Sequence, residues 1–338
     1  MKHFLIVRQQ NNQLGDLLCS VPMYLAIKKK YPDSYICLVT AWTNYDIPFK
    51  ELNPYLDNII KFQKGSLKNF GQFVKELRKI DYDFGIVPST LKISRTSNII
   101  NFISRAKVRV GVKRIDNDFN FLHFLLDKKS DFYWNKNKIH QIYRILDVVE
   151  QIGCTLPPEE IKNFKIDLTG EDLKFAEEFI KQNFPDNRPV FGFHPGAGKT
   201  SNRWSVGNYL NLIELLVKKY NNYVLLTSGY IDNEITKELT DALKLKNIEP
   251  VILDNCPVKK LAAILKLINI YVTNDTGVMH LAGFAGAKII SLFGPTNGFE
   301  WAPIKANQIY IQSPTDNIND IKIKEVFGKI IGLYEQSE

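Results

Sequence analysis

The sequence predicts an α/β protein made of two Rossmann-like, doubly wound domains facing a central cleft. Three observations predict it. Short apolar runs rich in Val, Ile, Leu and Phe recur along the chain, most of them followed by a segment with apolar residues at helical spacing. The alternation occurs twice, on either side of a proline-interrupted stretch at 155–187. The 338 residues suffice for two hydrophobic cores. Near-continuous apolar strands joined by helices belong to parallel sheets covered on both faces.

The first domain, placed at 1–160, opens with a strand at 4–7. A polar loop from Arg8 to Gly15 leads into an amphipathic helix at 17–31, which Pro32 and Asp33 end. Strands follow at 35–39, 58–62, 84–87 and 108–111, with helices near 70–79 and 93–104. From 117 to 138 the pattern gives way to Phe119, Phe121, Phe124, Phe132, Tyr133 and Trp134 among Lys128, Lys129, Lys136 and Lys138. This reads as a surface loop region, whose aromatics either pack beneath it or meet a membrane interface or a nucleic-acid base. A helix at 140–153 closes the domain.

The second domain, placed at 161–338, starts with a strand-like run at 164–168 and a helix at 172–184. Strands at 190–194, 223–227, 250–253 and 268–272 then alternate with helices at 206–220, 233–243 and 258–267. A short helix, a strand from 288, a strand at 309–312 and a helix at 321–334 complete the chain, the last helix being available to pack back on the first domain.

Composition narrows the classes. No apolar run approaches a membrane span, and the run Met1–Val7 is cut off by Arg8 before it could serve as a signal sequence, so a cytoplasmic protein is expected. Cys19, Cys37, Cys154 and Cys256 lie far apart and read as buried free thiols; the five histidines have no metal-ligand spacing, so neither metal nor cofactor is expected. The net charge of +8 sits in the first half: residues 1–170 hold 26 Lys and Arg against 17 Asp and Glu, residues 171–338 hold 18 against 19. Such a half suits nucleic acid, an acidic membrane, a phosphorylated substrate or plain solvent.

Three loops carry candidate chemistry. In the run from Thr273 to Gly286, Asp275 or Thr276 can cap a helix, Gly277 admits a close ligand, and the unpartnered N–H groups of the first turn favour an anion. Thr276 and His280 share a face. The bland reading is a capped helix and a buried histidine. The loop after 190–194 delivers Gly196, Gly198, Lys199, Thr200, Ser201 and Arg203 just before a helix: a phosphate cradle or a Pro-Gly turn, with neither Walker nor dinucleotide spacing. The segment 226–234 offers Asp232 and Glu234, either ribose acceptors or helix N-terminal acids. In the first domain, Asp16 after Gly15 reads on its own as a helix cap.

The string from Asp275 to His280, with Phe293-Gly294-Pro295-Thr296, Arg203-Trp204 and Gly15-Asp16, resembles glycosyltransferase family nine, the ADP-heptose:lipopolysaccharide heptosyltransferases. The likeness spans nearly the whole chain. It implies the GT-B architecture and an inverting, metal-independent transfer of heptose from an ADP-heptose-type donor to a lipopolysaccharide inner-core acceptor. Asp16 would be the catalytic base. The donor would be held by Gly196, Lys199, Thr200, Arg203, Glu234 (Asp232 as second choice), Asp275, Thr276, Gly277 and His280. Asn202, Ser205 and Val278 depart from the family's usual residues, so the phosphate grip rests on Arg203 alone or is shared with Lys199. Arg105, Arg109, Lys113 and Arg114, with Lys28 to Lys30 and Lys107, are candidates for acceptor phosphates and for peripheral contact with the cytoplasmic face of an inner membrane. No nucleic-acid partner is expected. The rivals are a transferase with another nucleotide sugar or a protein acceptor, a nucleotide-sugar epimerase of the same fold, and a basic nucleic-acid-binding protein, which would leave the Asp275–His280 string idle.

Overall fold

The structure, a computed structural model, describes residues 1–9, 14–44, 47–63, 67–305 and 307–336. It divides into two compact units, Met1–Phe164 and Lys165–Glu338. Part of the expected polar loop between Arg8 and Gly15, residues 10–13, lies outside the described residues.

The first unit is built on seven strands: β1 (His3–Arg8), β2 (Tyr35–Ala41), β3 (Asn58–Phe62), β4 (Phe84–Ile86), β5 (Val108–Ile115), β6 (Asp118–Phe119) and β7 (Lys128–Phe132). Its helices are α1 (Leu14–Lys30), α2 (Phe49–Leu52), α3 (Leu67–Leu77), α4 (Arg95–Ile103), α5 (Gln141–Glu150) and α6 (Pro158–Asn163). The parallel order β3-β2-β1-β4-β5 reverses direction between β1 and β4, the topological switch point of a doubly wound sheet. β1 is buried from Phe4 to Arg8, which explains its unbroken apolar run.

The second unit carries α7 (Gly170–Asn183), β8 (Val190–His194), α8 (Val206–Tyr220), β9 (Tyr223–Ser228), α9 (Asn233–Lys244), β10 (Val251–Asp254), α10 (Val258–Leu267), β11 (Ile270–Asn274), α11 (Gly277–Ala285), β12 (Ile289–Phe293), α12 (Gly298–Trp301), β13 (Gln308–Gln312) and α13 (Ile323–Glu335). Its six strands are all parallel, in the order β10-β9-β8-β11-β12-β13, with the switch between β8 and β11. One face is covered by Leu212 and Leu216 of α8, Leu239 of α9 and Ile330 of α13; the other by Ala176 of α7, Ile264 of α10 and Ala282 of α11. The expected α/β class, with two Rossmann-like parallel sheets, holds.

Two expectations are corrected. Residues 117–138 are not all surface loop: β7 pairs parallel with β5 and β6 pairs antiparallel with it. A strand at a sheet edge tolerates polar side chains, so the Lys-rich sequence hid it. Trp134 turns inward, stacked on Phe132 at 4.3 Å and donating from Nε1 to Asp147 Oδ2 at 2.7 Å. The run 164–168 forms no strand. Its Ile166 amide bonds to the Phe284 carbonyl at 3.0 Å and Leu168 packs against the core of the second unit, while the capping box of Thr169 and Asp172 starts α7 immediately after it. The last helix packs on its own unit, where Val326, Ile330 and Leu333 join the core under α8. Of the cysteines, Cys19, Cys37 and Cys154 are buried and Cys256 is half-buried.

Candidate functional site

In a doubly wound sheet, loops leaving the carboxyl ends of the strands that flank the switch point form a ligand crevice. In the second unit those are the loops after β8 and β11. Thr276, not Asp275, caps α11: its Oγ1 accepts from the Met279 amide at 3.4 Å, and its backbone is extended. Gly277 follows as the first helical residue. The positive end of α11 therefore points out of the sheet where β8 and β11 part.

Asn274, the last residue of β11, holds the neighbouring loop in place. Fully buried, it donates from Nδ2 to the carbonyls of Pro195 and Gly196 at 2.9 and 3.1 Å, while its Oδ1 accepts from the Trp204 amide at 3.2 Å. The Tyr209 hydroxyl lies 3.2 Å from the same Oδ1 and 3.1 Å from the His194 carbonyl. Sequence reasoning missed Asn274. The signal was there, since an asparagine closing an apolar strand must find partners for a buried amide.

The loop 195–205 carries the expected cations. Arg203 braces it, donating from Nε to the Ala197 carbonyl at 2.9 Å; this uses one of the guanidinium's five donors. Lys199 and Thr200 are exposed at the rim. Asn202, standing where the family resemblance anticipates a basic residue, is buried and donates to Asp275 Oδ2 at 3.0 Å and towards Thr296 Oγ1 at 3.4 Å. A neutral amide thus occupies Asp275, which ties the loop after β8 to those after β11 and β12.

Gly196 is required by its neighbour. A Cβ there would sit 2.1 Å from Asp232 Oδ1 and 2.2 Å from its Cγ. Asp232, at the start of α9, is buried under the loop, with Oδ2 3.7 Å from His194 Nε2. His194 Nδ1 lies 3.0 Å from the Thr227 carbonyl. Burial lowers the His194 pKa, Asp232 and the Thr227 carbonyl opposing it, so the imidazole is neutral and the contact is not an ion pair. Asp232, the second choice for the ribose, lies beneath Gly196, its Oδ1 without a hydrogen-bond partner among the described residues. Glu234 is exposed in the first turn of α9. His280 is buried on α11, edge-on to Trp301 at 6.2 Å.

In the first unit, Asp16 lies in the first turn of α1, just after β1 and so at that sheet's switch point. Buried Arg8 donates from Nη1 to the Asp16 carbonyl at 3.3 Å. Burial raises the Asp16 carboxyl above its ordinary pKa, the Arg8 charge opposing it. Beside it, the Gln9 amide donates to Ser97 Oγ at 3.2 Å, and Ser97 and Ser94 hydroxyls lie 2.8 Å apart. This hydroxyl cluster, on the loop after β4 and the start of α4, was not anticipated.

The basic candidates are largely engaged. Arg109 grips Asp127 through Nε and Nη2, both at 3.0 Å, and Lys113 and Arg114 lie 3.4 and 3.8 Å from Asp131. Lys28 pairs with Asp57, Lys29 with Glu160, and Lys107 with Asp83. Arg105 lies outside these pairs, in the left-handed backbone region at φ 61°. Among the described residues no group of three His, Cys, Asp or Glu side chains is placed to hold a metal, and no helix is long and apolar enough to cross a membrane.

Comparison with known proteins places this geometry. The model of glycosyltransferase family 9 (heptosyltransferase) matches residues 70–331. The lipooligosaccharide heptosyltransferase 2 of Campylobacter jejuni is 25% identical over 293 residues, covering 86% of this chain and 81% of the relative. The glycosyl transferase family 9 structure from Veillonella parvula superposes with a TM-score of 0.79 at 19% identity, covering 99% of this chain and 98% of that one. The E. coli ADP-heptose lps heptosyltransferase II gives 0.75 at 18% identity, covering 100% and 99%. These likenesses to solved structures show the fold, GT-B.

Proposed function

The chain belongs to glycosyltransferase family 9, the heptosyltransferases, and we propose on that premise that it moves a heptose from an ADP-heptose-type donor to the inner core of a lipopolysaccharide or lipooligosaccharide. The names of the Campylobacter relative and the E. coli structure support both substrate classes. The observation that carries the reading is the amino end of α11, set at the switch point of the second sheet, with the loop 195–205 tied against it through Asn274.

The diphosphate of the donor lies at that helix end, where Thr276, Gly277 and the loop residues Gly196, Lys199, Thr200 and Arg203 supply donors and charge. Asp275 and His280 shape its floor, and Glu234 accepts from the ribose hydroxyls. Asp16 of the first unit acts as base; a carboxylate with a raised pKa is the better proton acceptor. The acceptor hydroxyl attacks the anomeric carbon, its proton passes to Asp16, and the bond from that carbon to the phosphate oxygen breaks. ADP leaves with the electron pair, and the anomeric centre inverts. Charge developing on ADP is met by the α11 dipole and Arg203, so the step needs no metal.

Acceptor phosphates fall to the first unit, through Arg105 or through Arg109, Lys113 and Arg114 once these exchange an aspartate for the ligand. Such an acceptor implies work at the cytoplasmic face of the inner membrane. The test is transfer from ADP-heptose to a purified core acceptor, scored by mass shift and by the anomeric configuration of the product, with UDP-hexoses in parallel. Transfer from UDP-hexose alone would replace the donor assignment; retention of configuration would remove Asp16 as base.

A further inference from the structure

The outward stripe of a water-facing helix should be polar. On α4 it is not: Ser97, Asn98 and Asn101 are buried, whereas Ile99 and Phe102 are 45% and 48% exposed. Alongside α4 runs the segment 120–126, where Phe121 and Phe124 are 70% and 67% exposed, and Leu91, just before α4, is 45% exposed.

The two segments lie side by side, joined by the Ile93 amide to Asp118 Oδ2 at 3.3 Å and by Asn120 Nδ2 to Asn98 Oδ1 at 3.5 Å. The aromatic segment is pinned, not frayed. Asn120 Nδ2 donates to the Val112 carbonyl at 2.8 Å, its Oδ1 accepts from the Leu122 amide at 3.0 Å, and Lys129 Nζ donates to the carbonyls of His123 and Leu126 at 2.9 and 3.0 Å. Both phenylalanines are therefore presented to solvent by construction. In sequence, residues 91–132 carry nine Lys and Arg against four Asp, so five of the chain's eight net positive charges lie in this stretch, with Arg109, Lys113 and Arg114 paired to Asp127 and Asp131.

Exposed apolar side chains on a basic stretch match the chemistry of a bilayer surface, with apolar groups entering the interface and basic ones facing anionic headgroups. Nucleic acid fits less well. Leu91 and Ile99, exposed on the α4 side, offer no ring for a base to stack on. We propose that this face, α4 together with the segment 120–126, docks on an anionic lipid bilayer with Phe121 and Phe124 inserted. The proposal deepens and rests on the reading above, in which the acceptor is a lipid.

Co-sedimentation of the full chain with vesicles of phosphatidylethanolamine and phosphatidylglycerol, against phosphatidylcholine alone, tests it. Binding is expected to the anionic vesicles and to weaken with salt. Phe121→Ser with Phe124→Ser should weaken it by roughly tenfold per side chain, and Lys92→Gln with Arg95→Gln by about fivefold per charge. Circular dichroism and melting of the variants should be unchanged, since all four side chains are exposed. Transfer to a delipidated, water-soluble core acceptor should be unaffected by the two Phe substitutions, which separates failure of this surface from failure of the transferase reading. Absence of vesicle binding, or binding equal in the Phe121 and Phe124 variant, overturns the proposal. So does tight binding of a short DNA duplex without vesicle binding, or a dimer in solution that the same variant dissociates.

Discussion

Replacing Gly196 by alanine tests the architecture of the loop 195–205, and its proposed phosphate role, most directly. The added Cβ would stand 2.1 Å from Asp232 Oδ1, 2.2 Å from Cγ and 2.8 Å from Cβ, all well inside van der Waals contact. Asp232 is buried, and its Cβ also stands inside the clash, so turning the carboxylate alone does not relieve it and the loop must shift. Overpacking of this kind costs about 1–3 kcal/mol. The displaced loop carries Arg203, whose brace ends on the next residue, Ala197. Part of the cost should therefore appear as weaker ADP binding, about 5- to 150-fold if all of it does. The control is a double-mutant cycle. Asp232→Ala leaves the Cβ contact at 2.8 Å and should relieve Gly196→Ala only partly, whereas Asp232→Gly removes all three contacts and should relieve it to within about 0.5 kcal/mol of zero. Thermal melting and ADP titration calorimetry on the six proteins of the two cycles read both shares. An equal cost of Gly196→Ala in the native and Asp232→Gly backgrounds would refute the clash, and a lower Tm with ADP affinity intact would refute the link to phosphate binding.

Asp16→Asn should lower transfer about 10²- to 10⁴-fold with ADP affinity unchanged. The same variant should melt higher at neutral pH: a carboxyl whose folded pKa is raised binds more protons folded than unfolded, so its charge costs stability once pH rises past the unfolded value. A lower melting temperature would contradict the burial of that carboxylate. Arg203→Ala should weaken ADP about 10- to 150-fold, the worth of a hydrogen bond to a charged group, measured by calorimetry. Asn274→Ala should destabilise the second unit by about 2–4 kcal/mol in urea titration, because two buried carbonyls lose their donor. Transfer in excess chelator should match the untreated rate; a loss restored by a divalent ion would end the metal-independent mechanism.

The fold was legible because parallel strands buried on both faces must be apolar throughout, as in Phe4 to Val7 and Val190 to Phe193, and periodicity finds such runs readily. What escaped were elements whose stability does not show in hydropathy. β7 is an edge strand written in lysines and serine, and the extended run at 164–168 is apolar at alternate positions without a neighbour to pair with. Candidate site residues were named from the likeness of strings, which points to groups that would touch a ligand. The structure adds Asn274 and Asn202, which organise those groups by satisfying buried carbonyls and Asp275. A string cannot reveal which of two nearby acids faces inward. Asp232 and Glu234 are separated only by the turn that begins α9, and that turn buries one and exposes the other.

Because the amide of Asn274 belongs to the innermost strand of its sheet, the loop it secures takes its shape when the sheet folds, before any nucleotide arrives. A cradle finished in advance spends little of its ligand's affinity on ordering the backbone, and it imposes one geometry on whatever diphosphate enters. On the proposed donor placement, discrimination among sugars or bases would fall to side chains outside this scaffold, such as the exposed Lys199, Thr200 and Glu234. Altering donor choice by design would begin there and leave the asparagine untouched.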